Sequence, residues 1–190
     1  MGKTPGLDAA KEDNVDTNVR VPRPRPEPSM DELPLLVPGS DEADMLTRLR
    51  TRYLGNVVRQ ARWVYAEQVR NGTPPLRCLD AIAWSTSPAD GYAWSGFEIK
   101  CSREDVRREL ANPEKAAAFL PFLNHFWLVL SDARMLRAGE LPSGWGLLVA
   151  SGYGGLRTEV DAPRRVARPM PLPMQAAFAR AAVRTARAAL

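Results

Sequence analysis

Apolar positions recur at helical spacing from Asp41 to about Ala61, then give way to short dense runs of strand character. In the helical stretch Leu46, Leu49, Tyr53 and Val57 share a face, and Asp41 or Asp44 can cap its start. Arg48, Arg52, Arg59 and Arg62 are expected on its outer face. WVYAEQVRN reads as a first strand, ended by the breaker Asn71-Gly72-Thr73-Pro74-Pro75. LRCLDAIAW and WSGFEIKC are the second and third strands, joined by the loop STSPADGYA. Ser102 can cap a helix through Leu110, with Glu104 and Asp105 in the turn where the helix dipole favours acids. Asn112-Pro113 interrupts it, and Pro113 restarts a helix at the position proline tolerates best. HFWLVL is a buried strand, and WGLLVAS and LRTEV flank Gly152-Tyr153-Gly154-Gly155 as a hairpin. A Pro/Arg connector from Pro163 to Pro173 leads to a last helix, MQAAFARAAVRTARAAL.

The order is α-β-β-β-α-β, then a hairpin and a helix. It implies an α/β (α+β) fold with a mixed central sheet flanked by helices. The expected organisation is an acidic, Pro-rich disordered tail over 1–40, a domain over 41–162, and the connector and basic helix over 163–190. The tail offers a possible docking segment for a protein partner.

Charge changes this picture. The first 44 residues carry five basic and ten acidic side chains, and the remaining 146 carry 21 and 12. A net +9 on the folded part is hidden within a total of +4, and a basic domain suits polyanions such as nucleic acid. Cys78 and Cys101 are too few for a disulfide framework or a zinc pattern, and read as reduced thiols. No apolar run approaches the ~20 residues of a membrane span, and no secretory leader follows Met1. The expected place is the cytoplasm, of a bacterium or a phage-infected cell.

The chemistry concentrates between Arg77 and Cys101. Side chains alternate along a strand, so Glu98 and Lys100 point the same way, and a hairpin can bring Asp80 beside them. Two carboxylates and an ammonium suit a divalent cation and a water to be activated. Asp80 and Glu98 are hard-oxygen ligands, the Ile99 carbonyl is a further candidate ligand, and Lys100 can orient or deprotonate the water. Lysine usage supports this: against 22 arginines there are four lysines, of which only Lys100 and Lys115 lie outside the tail. A lysine offers a compact charge with a movable pKa, which arginine does not. Glu67 on the first strand can reach the same metal or a second one. Lys115, Arg103 and Arg107 are candidates for phosphate contact, and Arg180, Arg184 and Arg187 form a stripe on the last helix that could meet DNA.

His125 is the single histidine and no nucleophilic motif surrounds a serine, which leaves a Ser-His-Asp hydrolase without support. Gly152-Tyr153-Gly154-Gly155 joins two strands rather than opening a helix, which argues against a nucleotide loop. Trp84, Trp94, Trp127 and Trp145 read mainly as core, with Trp84 and Trp94 beside the loop able to stack on unpaired bases.

LDAIAW…GFEIKCSREDVRRELANPEKA, followed by GELPSGWGL, resembles the PD-(D/E)XK nuclease superfamily. More narrowly it is similar to small phage and bacterial proteins described as MmcB-like DNA-repair or Cas4-like proteins. The resemblance spans about residues 60 to 150. It implies a restriction-endonuclease-like αβββαβ core and Mg²⁺-dependent (or Mn²⁺-dependent) DNA cleavage in repair or phage DNA processing. It further implies Asp80 and Glu98 as metal ligands, Lys100 as the catalytic lysine, and Glu67 and Lys115 as supporting residues. Two departures stand out: Cys101 where relatives carry valine, and Leu79 in place of the proline before Asp80. The alternatives are a DNA-binding module of the same fold without turnover, and a structural protein acting through its tail.

Overall fold

Among the described residues one sheet holds six strands in chain order, β1 to β6. The computed structural model describes residues 2, 41–55, 62–152 and 154–188. Most of the acidic tail and the end of the first expected helix, including Val57 and Arg59, lie outside the described residues. β1 (Trp63–Arg70) pairs antiparallel with β2 (Cys78–Ser85), and β2 pairs antiparallel with β3 (Trp94–Lys100). The chain then crosses over through α2 (Arg103–Ala111) and α3 (Glu114–Ala117) to β4 (His125–Leu130), parallel to β3. β5 (Gly146–Ala150) is parallel to β4, and β6 (Leu156–Val160) closes the sheet antiparallel to β5. α1 (Glu42–Leu54) precedes the sheet and α4 (Leu172–Ala188) follows it. The class is α/β, a six-stranded mixed sheet flanked by helices. All strands fall where alternation and breakers place them.

Local chemistry explains the joints. The Asp41 side chain caps α1 through the Asp44 N–H at 2.9 Å, and the Ser102 hydroxyl caps α2 through Asp105 at 3.1 Å. Asn71 closes the β1–β2 turn, donating to the Pro75 carbonyl and accepting from the Arg77 N–H, both at 3.1 Å. In the β2–β3 loop Asp90 is held by Arg62 and by the Ser85 hydroxyl at 2.6 Å.

Two apolar layers sandwich the sheet. Met45, Leu49 and Tyr53 of α1 pack on Tyr65, Ala81, Ala83, Phe97 and Ile99. On the other face Val106 of α2, Ala116 of α3, and Met174, Phe178 and Ala181 of α4 meet Ala66, Val69, Leu79, Ile82 and Leu128. The last helix buries one apolar face and leaves its arginines outside the core. Arg48 departs from expectation. It is buried, pairs with Asp44 at 2.8 Å, and donates to the Ser151 and Gly155 carbonyls at the β5–β6 turn. Arg52 likewise reaches the Leu156 carbonyl, so this side of α1 grips β6 rather than facing solvent.

Strict alternation breaks at one place. Ile82 and Trp84 face the α2–α4 side, and Ala81 and Ala83 face α1; yet Leu79 joins the α2–α4 side. Directly across on β1, Gln68 has φ +53°, a left-handed conformation uncommon for a residue with a side chain. Between these two irregularities sits Asp80. Gly96 of β3 accommodates the shift, because a Cβ there would lie 2.5 Å from Leu123 Cδ1 and 2.8 Å from Leu79 Cδ2.

Candidate active site

The last registered pair between β2 and β3 is Ala81↔Phe97, just before Asp80 and Glu98. Beyond it the Asp80 side chain takes over: Oδ2 accepts the Ile99 N–H at 2.8 Å. A carboxylate thus does what a strand carbonyl does elsewhere, and is fixed in the gap where the strands part. Glu98, one residue before Ile99, is fully buried. As period two requires, Lys100 lies on its side, with Nζ donating to Glu98 Oε2 at 2.8 Å. The same Nζ is 3.2 Å from Glu109 Oε2 and 3.9 Å from Asp80 Oδ2.

A second ammonium comes from α3. Lys115 Nζ donates to Glu98 Oε2 at 2.8 Å and lies 3.8 Å from Asp80 Oδ1. It is also 2.6 Å from Glu98 Oε1, but off the direction of a hydrogen bond, so Oε1 remains a buried acceptor without an aligned donor. Glu109 Oε1 is in the same condition. The cluster forms one wall of a cleft of about 440 Å³, bordered further by Glu42, Asp105 and Arg108.

Three carboxylates and two ammoniums leave an acidic excess, and the proton affinities follow. Burial, then the Asp80 charge, pushes the Glu98 carboxyl up to about 8, with Lys100 and Lys115 opposing and Glu109 adding. Burial would lower Lys100, but Glu98, Asp80 and Glu109 outweigh it and raise the ammonium above its ordinary value. Lys115 is raised by the same balance, chiefly against Glu98. Lys100 is therefore a held cation, better suited to orienting a water and countering phosphate charge than to removing a proton.

A stability signature follows. In chelator, a folded-state pKa raised for Glu98 stabilises the fold below the ordinary carboxyl pKa, and that stabilisation is lost as pH rises toward 8. The raised lysines act only above their own ordinary range, so they leave this window flat. Urea midpoints are expected to fall between pH 5 and pH 8 in the wild type, with a clearly shallower fall in Glu98→Gln. Parallel profiles in the two proteins would contradict the assignment.

The structure brings together Asp80, Glu98, Lys100 and Lys115. Ile99 reaches the cluster through its N–H, which donates to Asp80. Glu67 does not join. It faces α1, where Arg50 grips both its carboxylate oxygens at 2.8 and 2.9 Å. Arg103 is committed to Glu140 at 2.5 Å and to the Met135 carbonyl at 2.8 Å, and Arg107 pairs with Glu104 at 3.3 Å on the surface. Arg103 ties α2 to the segment after β4, Arg107 stays on the surface of its own helix, and neither pairs with the cluster. Arg180 and Arg184 border a groove at the open end of β1, and Arg187 lies exposed beyond its lining. His125 donates its Nδ1–H to the Ala162 carbonyl at 3.0 Å, a structural contact. Trp84 and Trp94 stack on each other at 5.1 Å, and Phe178 closes on Trp94 edge-on.

Glu109 escaped the sequence reading. Its signal was present: Val106 sets the inward face of α2, and Glu109 sits three residues on, the only other buried residue of that helix. An acid on a core-facing helical position next to a lysine-bearing strand is the pattern to look for.

Among the described residues no group of three His, Cys, Asp or Glu side chains is arranged to hold a metal ion, because the lysines stand between the carboxylates. The donor chemistry still fits a hard cation. Asp80 and Glu98 offer only oxygen, and the buried Glu98 Oε1 lacks an aligned donor.

No family model matches this chain, and no curated protein matches it. Among solved structures it is similar to the SPO1766 protein of unknown function from Silicibacter pomeroyi, with 21% identity and a TM-score of 0.53. The likeness covers 78% of this chain and 89% of that one, and it is a likeness of fold. No helix of the described residues is long and apolar enough to cross a membrane.

Proposed function

We propose that this protein is a divalent-metal-dependent deoxyribonuclease with a restriction-endonuclease-like core, of the PD-(D/E)XK kind. The observation that carries the reading is the buried Glu98 carboxylate, gripped by Lys100 and Lys115 where β2 and β3 part around Asp80. Folding does not require such an arrangement. Burying an ion cluster costs several kcal/mol of desolvation per ion, and an apolar replacement is often as stable. The left-handed Gln68 opposite Asp80 is a second local cost, of the kind that concentrates at functional sites.

Asp80 and Glu98 would hold Mg²⁺ or Mn²⁺. When bound, the cation supplies an acidified water and screening of the phosphate charge. The chain's own groups supply the rest. The Ile99 N–H fixes the Asp80 carboxylate. Glu98 and Glu109 fix the Lys100 ammonium, which orients the attacking water and counters developing negative charge. Lys115, about one-third exposed, can turn from Glu98 toward a phosphate oxygen.

The test uses the full chain on single- and double-stranded DNA. Cleavage is expected with Mg²⁺ or Mn²⁺, little with Ca²⁺, and none in excess chelator. Asp80→Asn should lower the rate by a factor on the order of 10²–10³, the range for losing one group that stabilises transition-state charge. Cleavage that survives chelation, or full activity in Asp80→Asn, rejects the mechanism. One observation favours a second reading. Both lysines already neutralise the carboxylates, as they would in a DNA-binding module without turnover. DNA affinity with no cleavage under either metal would select that reading.

A further inference from the structure

A basic feature lies near this acidic cluster along β2. A groove of about 810 Å³ opens between the Asn71 turn and α4, bordered by Arg70, Arg180, Arg184, Gln68, Leu76 and Cys78, with no acid in its lining. We propose that this groove binds the phosphodiester backbone of a nucleic-acid strand and leads that strand to the Asp80–Glu98–Lys100 cluster. The second half of this statement rests on the nuclease reading; the first half does not.

Three observations carry it. The groove is built rather than incidental. Thr185 Oγ1 accepts the Glu67 N–H at 2.9 Å, and Arg184 Nη2 donates to the Glu67 and Gln68 carbonyls at 3.1 and 3.2 Å, which sets α4 in register on β1. At the other end Gly72, with φ +76°, presses on Pro173 so closely that a Cβ would stand 2.6 Å from its carbonyl oxygen. Both walls are therefore fixed, and Met174, Phe178 and Ala181 anchor the back of the helix in the core.

Arg184 spends hydrogen bonds on backbone carbonyls, but no arginine of the groove lining meets a carboxylate among the described residues. Elsewhere on this surface arginines meet carboxylates, as in Arg62–Asp90, Arg77–Glu114 and Arg103–Glu140. Arg70 and Arg180 are exposed and pair with no carboxylate among the described residues. Arg180 and Arg184, four residues apart on one helix face, start about 6 Å apart along the axis. A row of cations at that interval matches a repeating chain of phosphates better than one small anion.

The groove also lies close to the site along β2. Arg70 and Cys78 are strand partners, and Cys78 stands two residues from Asp80 on β2, about 7 Å along the strand.

The experiment measures affinity of the full-length protein for a labelled oligonucleotide of about 20 nucleotides, as single strand and duplex, in chelator. The variants are Arg70→Ala/Arg180→Ala and, as a control outside the groove lining, Arg134→Ala, an exposed arginine paired with Asp132. The double variant is expected to bind at least tenfold more weakly, and its slope of log affinity against log salt should fall by roughly 1.4–1.8, the loss of two phosphate contacts. Arg134→Ala should bind as the wild type does, with both variants melting normally. Unchanged affinity and slope in the double variant overturn the groove. So does competition by polyglutamate as strong as that by the oligonucleotide, which would make it a site for acidic polypeptide. Wild-type protein that binds through the groove yet cuts nothing with Mg²⁺ or Mn²⁺ upholds the groove and removes the nuclease reading.

Discussion

Lys100→Ala is expected to abolish DNA cleavage and to loosen the fold at once. Its Nζ is shared by Glu98 at 2.8 Å, Glu109 at 3.2 Å and Asp80 at 3.9 Å, so the variant removes the cation at the centre of three acids. Breaking a buried ion pair by deleting one partner costs about 3–5 kcal/mol. Lys115 still holds Glu98 at 2.6 Å and Glu98 can take a proton, so the expected loss is nearer 2–4 kcal/mol. Urea unfolding reads that directly. Cleavage should fall by at least about 10³, more than folding alone explains, because the charge facing the scissile phosphate is gone. Lys100→Met separates the two effects. It keeps the apolar stem and most of the packing, and is expected to recover part of the stability and none of the cleavage. A folded Lys100→Met protein cutting DNA within tenfold of wild type would remove Lys100 from the chemistry.

Period two along β3 made Glu98 and Lys100 legible, and the Asn71–Pro75 breaker made the turn before β2 legible, because both depend on local backbone geometry. Asp80 was placed correctly beside them, but by the hairpin and not by its face. Alternation fails between Leu79 and Ala81, and a left-handed Gln68 on the neighbouring strand cannot be read from a glutamine. Glu67 illustrates the opposite case. Its strand position was right, yet its partner is Arg50, whose approach from α1 depends on how a helix lies across the sheet. Arg48 was assigned to solvent for the same reason: the β5–β6 turn that receives it is about a hundred residues away. The arginine stripe of α4 was visible from helical spacing. Its meeting with Arg70 and the Asn71 turn required the helix to fold back over β1.

Glu109 carries the remaining prediction, since it holds Lys100 without an expected role as a ligand. Glu109→Ala should lower the cleavage rate by about 10- to 100-fold, the usual effect of removing a group that orients a site residue from behind. KM should change little, because Glu109 is largely buried and its carboxylate is turned to Lys100. Glu109→Gln should recover most of the rate, as an amide oxygen can still accept from Lys100. A purely structural role would move the urea midpoint alone, so the decisive readout is pH. Glu109 adds to the pressure that raises the Glu98 carboxyl to about 8. Glu109→Gln should therefore shift the pH-dependent loss of stability in chelator toward lower pH, even where activity is restored. A shift in rate with no shift in that profile would place Glu109 outside the electrostatics of the cluster. The proposed orientation of Lys100 by three acids would then reduce to two.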